Sequence, residues 1–274
     1  MSVYNKGKTD FLDNLEDIAD KVLRRSKHLI PTVARLCLIS TYLEDGIRMW
    51  VQWSDQAEYI QHQWNAPAVA GHSFVIANMV LQLAGCAMVL LRCRVEIACA
   101  MLASVLLLQS VAYQILWESN FLLRNLAIGG GVLLLFVESR VEARSLFAGL
   151  PSTGEGGRHR RWLLLSGRLL VLLMLATLAR FDTAVYMLNF GIDLLLVLLI
   201  AVGYKTKLCA LAASLKLLII NLIANPWWSL AATSTRRDVM RFDFFQTMSV
   251  IGGLLLVVAV GPGGVSLDER KKRF

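Results

Sequence analysis

A chain of 274 residues with 56% hydrophobic and only 18% charged residues has a mean hydropathy of +0.56, which excludes an ordinary soluble domain. Such a composition belongs to an integral membrane protein. The net charge of +8 at pH 7 then reads as a topology signal and not as a surface for nucleic acid.

The first ten residues, MSVYNKGKTD, contain no apolar run that could serve as a cleavable signal, so the first spanning helix is expected to target the chain and leave the N-terminus cytosolic. Residues 11–27 set Phe11, Leu15, Ile18 and Val22 on one helical face, with Asp13, Asp17, Lys21 and Arg24 elsewhere. This pattern predicts an amphipathic helix that lies on the anionic leaflet or packs against the first span.

A hydrocarbon core of roughly 30 Å needs about 20 helical residues. Segments near 32–53, 72–91, 95–117, 121–138, 162–180, 185–203, 208–225 and 244–261 meet or approach that length. The expected fold is an all-α, multispanning membrane bundle of about eight transmembrane helices. Its divisions are a cytosolic tail (1–31), a first four-span half (32–139), a cytosolic loop (140–161), a second four-span half (162–261) and a cytosolic tail (262–274). An even number of spans puts both termini in the cytosol. Basic residues agree: of 28, nineteen fall in the segments assigned to the cytosol, and Arg180, Arg236, Arg237 and Arg241 are the four assigned to the lumen.

A weak duplication crosses the central loop. Ala127-Ile128-Gly129-Gly130 in span four parallels Val250-Ile251-Gly252-Gly253 in span eight, and Arg35 loosely parallels Arg168. Two four-span halves would be parallel repeats about an axis along the membrane normal. Similar composition of glycine-rich apolar helices would produce the same likeness.

Span one is the anomaly, because Arg35, Glu44, Asp45 and Arg48 interrupt it and a central charge costs about 2.5–3.5 kcal/mol on insertion scales. This helix cannot face lipid all round. Glu44 and Arg48 are one turn apart and can pair, whereas Asp45 points elsewhere. Asn78, Gln109, Tyr113, Gln114, Arg124, Asn125, Asp193, Asn221, Asn225, Asp243 and Gln246 fall at the same lumenal level, ringed by Trp50, Trp53, Trp64, Trp117, Trp227 and Trp228. Two readings stand: a closed ion-pair network that fixes the bundle, or a lumen-facing cavity with acid available to a cationic ligand group. Lys216, halfway along span seven, counts against an acidic excess.

No catalytic constellation assembles, and an enzyme is not expected. His28, His62, His72 and His159 are dispersed, and Cys37, Cys86, Cys93, Cys99 and Cys209 form no CxxC pair. No cofactor, metal site, disulfide framework or N-x-S/T sequon is indicated. Lys271 and Lys272, three and four places from the final carboxyl, match a dilysine retrieval address of the kind read by a receptor in the cytosol.

The stretches ARLCLISTYLEDGIRMW from Ala34, RNLAIGGG from Arg124, ESR at Glu138, SLFAGLP from Ser145, YKTKL from Tyr204 and FDFFQTMSVIGGLLLVVAVGPGGVSLDE from Phe242 resemble the surfeit locus protein 4 family of endoplasmic reticulum cargo receptors, relatives of the yeast receptor for glyco-pro-alpha-factor. Residues 153–160 and 229–237 depart from that pattern.

The resemblance implies a receptor that cycles between endoplasmic reticulum, intermediate compartment and Golgi. It would capture soluble secretory cargo in the lumen, often by a short N-terminal motif with proline between hydrophobic residues. It implies COPII-dependent export and COPI-dependent return through Lys271 and Lys272, and a likeness to the DoxX-like four-helix membrane fold. The partners implied are secretory cargo, COPII and COPI coat components and membrane lipids, with homo-oligomer formation left open and no nucleic acid. The candidate cargo-binding residues are Glu44, Asp45, Arg48, Trp50, Tyr113, Arg124, Asn125, Asp243 and Gln246. A terminal ammonium suits the carboxylates, and apolar side chains suit the aromatic walls. A lipid scramblase or small-solute transporter is the alternative, and it would need the polar track to continue to the opposite face.

Overall fold

Pro31 sits in the first turn of the first described helix, where its missing N–H costs no helical hydrogen bond. From there the computed structural model describes residues 29–114, 119–146, 165–166, 169, 172, 184–231 and 234–260. The elements are α1 (Leu29–Val51), α2 (Trp53–Trp64), α3 (Ala68–Leu90), α4 (Val95–Ala112), α5 (Ser119–Leu146), α6 (Ala184–Val202), α7 (Thr206–Ala224), a 3₁₀ turn at Trp227–Ser229 and α8 (Thr235–Val260). Among the described residues there is no strand. The protein is an all-α membrane bundle. Four stretches, Ala68–Leu90, Val95–Ala112, Thr206–Ser229 and Thr235–Val260, are long and apolar enough to cross a bilayer.

Seven of the eight expected spans fall on α1, α3, α4, α5, α6, α7 and α8. Most of span five, the N-terminal amphipathic segment, the retrieval residues and residues 147–161 of the central loop lie outside the described residues. Three boundaries differ from expectation. Residues 53–64 form α2, although the chain there is too polar to span. Trp53, Ala57, Ile60 and Trp64 recur at helical spacing, and Ala57 and Ile60 are buried. The helix α8 begins at Thr235, well before the apolar run at 244, because hydropathy marks where a helix enters hydrocarbon and not where it starts. Asp238 in its first turn favours that start. Likewise α5 continues to Leu146, past the apolar stretch.

The last helix, α8, packs most extensively on the first, α1, and also on α5 and α7. In turn α3 bridges α1 and α4, and α4 packs on α5, so α8 closes a ring with the helices of the first half. Small residues permit the closest crossing. A Cβ on Gly252 would lie 2.7 Å from the Ala34 carbonyl oxygen, so only glycine lets the two backbones approach this far. Thr41 and Ser249 tie the same helices together through a 2.6 Å hydroxyl contact, and Ser249 also donates to the Leu38 carbonyl at 2.6 Å.

Two tight connections share a backbone device. The α3–α4 connection ends at Arg94 (φ 45°) and the α6–α7 connection at Lys205 (φ 44°), each a basic residue in left-handed conformation immediately before the next helix. Corresponding connections of a duplicated four-span unit would share this feature.

Candidate functional site

One turn after another, α1 presents Thr41, Tyr42, Asp45 and Arg48 to the same side, the stripe expected of a 3.6-residue period, and Gln52 just past its end continues it. Leu106, Gln109 and Tyr113 of α4 face them, as do Asn125 and Ile128 of α5 and Asp238, Val239, Phe242 and Asp243 of α8. Asp55, Gln56 and Tyr59 of α2 form the remaining wall, and together they enclose a cavity of about 800 Å³. It follows α1 from Thr41 to Gln52, roughly 15 Å of helix axis at 1.5 Å per residue.

The cavity has a fixed wall at its α2 end. Trp53 donates through Nε1 to His72 Nδ1 at 2.9 Å, Trp64 donates to the Ala112 carbonyl at 3.0 Å, and the Tyr113 hydroxyl donates to Gln56 Oε1 at 2.7 Å. Tyr59 and Tyr113 stack at 5.5 Å between ring centroids. Among the described residues the far end is packed with apolar side chains. Beyond Tyr42, Leu38, Ile39, Leu102 and Leu135 are almost wholly buried, and they belong to one continuous core.

Asp45 accepts hydrogen bonds from three side chains. Arg48 donates to Oδ1, while Gln82 and Gln109 donate to Oδ2 at 3.1 and 2.6 Å. The expected pairing is therefore exchanged. Arg48 binds Asp45 directly and stands 3.9 Å from Glu44, whose close partner is Arg241 of α8 at 3.0 Å. Residues three apart on a helix share a face as well as residues four apart do, so spacing could not decide between the two acids. Among the side chains that line the cavity, Asp45, Asp55, Asp238 and Asp243 oppose Arg48, a local excess of negative charge.

The candidate residues divide. Asp45, Arg48, Tyr113, Asn125 and Asp243 line the cavity. Glu44 is buried behind it, and Gln246 is buried in the α8 interface without lining it. Trp50 is 67% exposed on the outside of α1. The side chain of Arg124 lies outside the described residues. The aromatic walls are Tyr42, Tyr59, Tyr113 and Phe242 in place of the expected tryptophans.

Nor do all polar residues converge. Lys216 of α7 pairs with Asp193 of α6 at 2.7 Å, and Asn221 donates to the Phe244 carbonyl at 3.0 Å. These groups tie neighbouring helices together away from the cavity, so Lys216 does not offset its acids. Sequence reasoning missed Tyr42, Gln52, Asp55, Gln56, Tyr59, Gln82 and Asp238. The period of Trp53, Ala57, Ile60 and Trp64 carried the signal for the α2 group; Tyr42 and Gln82 offered only their place on a helix face.

The comparisons now decide the family. The SURF4 family model matches residues 9–274. The chain belongs to the SURF4 family. It is similar to the Surfeit locus protein 4 homolog of Drosophila melanogaster, with 47% identity over 275 residues covering 100% of both chains. The Schizosaccharomyces pombe Surfeit locus protein 4 homolog is 34% identical over 250 residues, covering 89% of this chain and 82% of that one. The Saccharomyces cerevisiae ER-derived vesicles protein ERV29 is 31% identical over 266 residues, covering 96% and 84%. No solved structure matches the chain.

Proposed function

We propose that this chain is a cargo receptor that carries soluble secretory proteins out of the endoplasmic reticulum. The observation that carries the proposal is the acidic cavity closed at one end by apolar core. Kinship to a protein named for ER-derived vesicles supplies the compartment. On the orientation expected from the basic residues, the α2 end faces the lumen. A blind cavity admits the end of a polypeptide but passes nothing across the membrane. Its carboxylates suit a terminal ammonium, with Asp45, Arg48, Tyr113, Asn125 and Asp243 as the cargo-reading residues. Export by COPII and return by COPI through Lys271 and Lys272 complete the cycle.

The packed Leu38, Ile39, Leu102 and Leu135 count against a scramblase or solute transporter, which would need polar groups to continue past Tyr42.

One cell experiment tests both halves. Proximity labelling from the lumenal face should recover secretory proteins with the native receptor and lose them with Asp45→Asn at matched receptor level. Replacement of Lys271 and Lys272 by serine should keep the labelling but shift the receptor toward the Golgi and cell surface. Unchanged cargo with Asp45→Asn removes the cavity from the proposal, and an unchanged distribution of the double serine variant removes the retrieval step.

A further inference from the structure

Four helices carry an outer face that is apolar over a bounded length. On α1 this band covers residues 33–51, between Thr32 and Gln52, and on α3 it covers 74–91, between Ser73 and Arg92. On α4 it covers 97–112, between Glu96 and Tyr113, and on α7 it covers 208–224, between Lys207 and Asn225. Polar side chains within the bands are turned inward or paired. Arg35, Glu44, Asp45, Asn78, Gln82 and Asn221 are buried, Lys216 holds Asp193 at 2.7 Å, and the exposed Ser104 hydroxyl donates to the Met101 carbonyl at 2.7 Å. Beyond the bands these helices expose only single large apolar side chains, Leu29 on α1 and Val69 on α3. Trp50 at the end of one band and Trp228 just past another are exposed, the place of an interfacial aromatic residue.

We infer that this girdle is a docking surface for a thin bilayer, one with a hydrocarbon core of about 27 Å, as in the endoplasmic reticulum, in preference to the roughly 32–33 Å of the plasma membrane. The bands hold 19, 18, 16 and 17 residues, about 24–29 Å of helix at 1.5 Å per residue. Tilt shortens the projection of a helix on the bilayer normal, so each length is a ceiling. The ends are also fixed. Arg94 and Lys205, both in left-handed conformation, end the connections that lead into α4 and α7, and Pro226 follows the last residue that caps α7. The bands therefore cannot lengthen by adding helical turns. A thicker core would press hydrocarbon against Thr32, Ser73 and the exposed pair of Glu96 with Arg140, at a cost that rises with each ångström of mismatch. Bilayer thickness thus acts beside the retrieval residues to hold the protein in early secretory membranes. The surface is separate from the cavity and from any cargo.

The test needs no ligand. The purified full chain is placed in phosphatidylcholine bilayers with hydrocarbon cores of about 27 and about 33 Å, and in the thinner lipid thickened to the same extent by cholesterol. The unfolding temperature should be about 5 °C lower in the thicker core, whether longer acyl chains or sterol thicken it. Equal or greater stability in the thicker core overturns the inference. A loss with long chains that cholesterol does not reproduce overturns it as well, because chain chemistry and not thickness is then sensed. In cells, the protein with Lys271 and Lys272 replaced by serine is compared with the same protein carrying Thr32→Leu and Ser73→Leu, which lengthen the bands of α1 and α3 at exposed positions. At matched abundance the longer girdle should raise the cell-surface fraction about twofold or more. An unchanged fraction overturns the sorting role and leaves cargo export untouched. The bilayer measurement, made on the native chain, decides the docking surface even where the leucine variant fails to fold.

Discussion

The two ends of α1 each bury charge, and they use it in opposite ways. Near Leu29, Arg35 meets Glu138 of α5 in a two-pronged pair at 2.9 and 2.8 Å, with both side chains more than nine-tenths buried. Apolar core surrounds that pair, and neither residue lines the cavity. Toward Val51, Glu44, Asp45 and Arg48 sit beside an open volume, with more acid than base along its wall. A charge within a membrane helix is therefore not a functional signal by itself. The pair near Leu29 sets a guanidinium fork against a carboxylate with two parallel hydrogen bonds, as a structural clamp should. The group near Val51 has an acid excess along an open cavity, as a binding site can tolerate.

The largest effect is expected at the clamp. Arg35→Ala removes both hydrogen bonds of the fork from the buried Glu138 carboxylate, which should cost about 3–5 kcal/mol and deplete the folded protein. Thermal unfolding of the purified protein measures it. The double replacement Arg35→Met with Glu138→Leu should recover part of the loss, since the two members of this pair then leave together. If the double variant folds but no longer exports cargo, the end near Leu29 is functional too and the contrast between the two ends fails.

Gly252→Ala probes the same region by shape alone. The added methyl would meet the Ala34 carbonyl at 2.7 Å, and that atom is backbone with no rotamer to yield. Separation of α1 from α8 should cost about 1–3 kcal/mol. A matched Gly191→Ala, with nothing within 4 Å of the new carbon, should leave the unfolding temperature unchanged or slightly raised. Equal effects at the two glycines would mean that the α1–α8 crossing does not hold the bundle.

Much of this architecture was legible because bilayer thickness imposes a length on each helix. Seven helices were anticipated from apolar runs alone, four of them long and apolar enough to cross a bilayer, and the family from motifs spread along the chain. The pairing of charges was not legible. Arg35 and Glu138 are more than a hundred residues apart, so no local period links them. Arg48 could reach either acid of α1, and only the position of Arg241 on another helix assigns Glu44. The helix α2 escaped notice because apolarity was the chief signal and α2 is amphipathic, although it supplies a cavity wall.

The smallest predicted effect separates Glu44 from Asp45, adjacent acids whose sequence context is nearly the same. Glu44 joins α1 to Arg241 of α8 and does not line the cavity, whereas Asp45 does. In Glu44→Gln, Arg241 keeps Asp238 at 3.6 Å and Arg48 keeps Asp45, so no cation is stranded. The expected loss of stability is about 1 kcal/mol, with no change in affinity for a free-amine peptide. Asp45→Asn should lower that affinity well beyond its effect on stability, because the amide retains the shape but removes the charge that faces the ligand. The two variants, compared at equal concentrations of folded protein, decide whether α1 carries one acid for structure and one for binding. Equal losses of affinity would show that the acids act as one site, and that the tie from Glu44 to Arg241 positions the cavity and does more than hold two helices together.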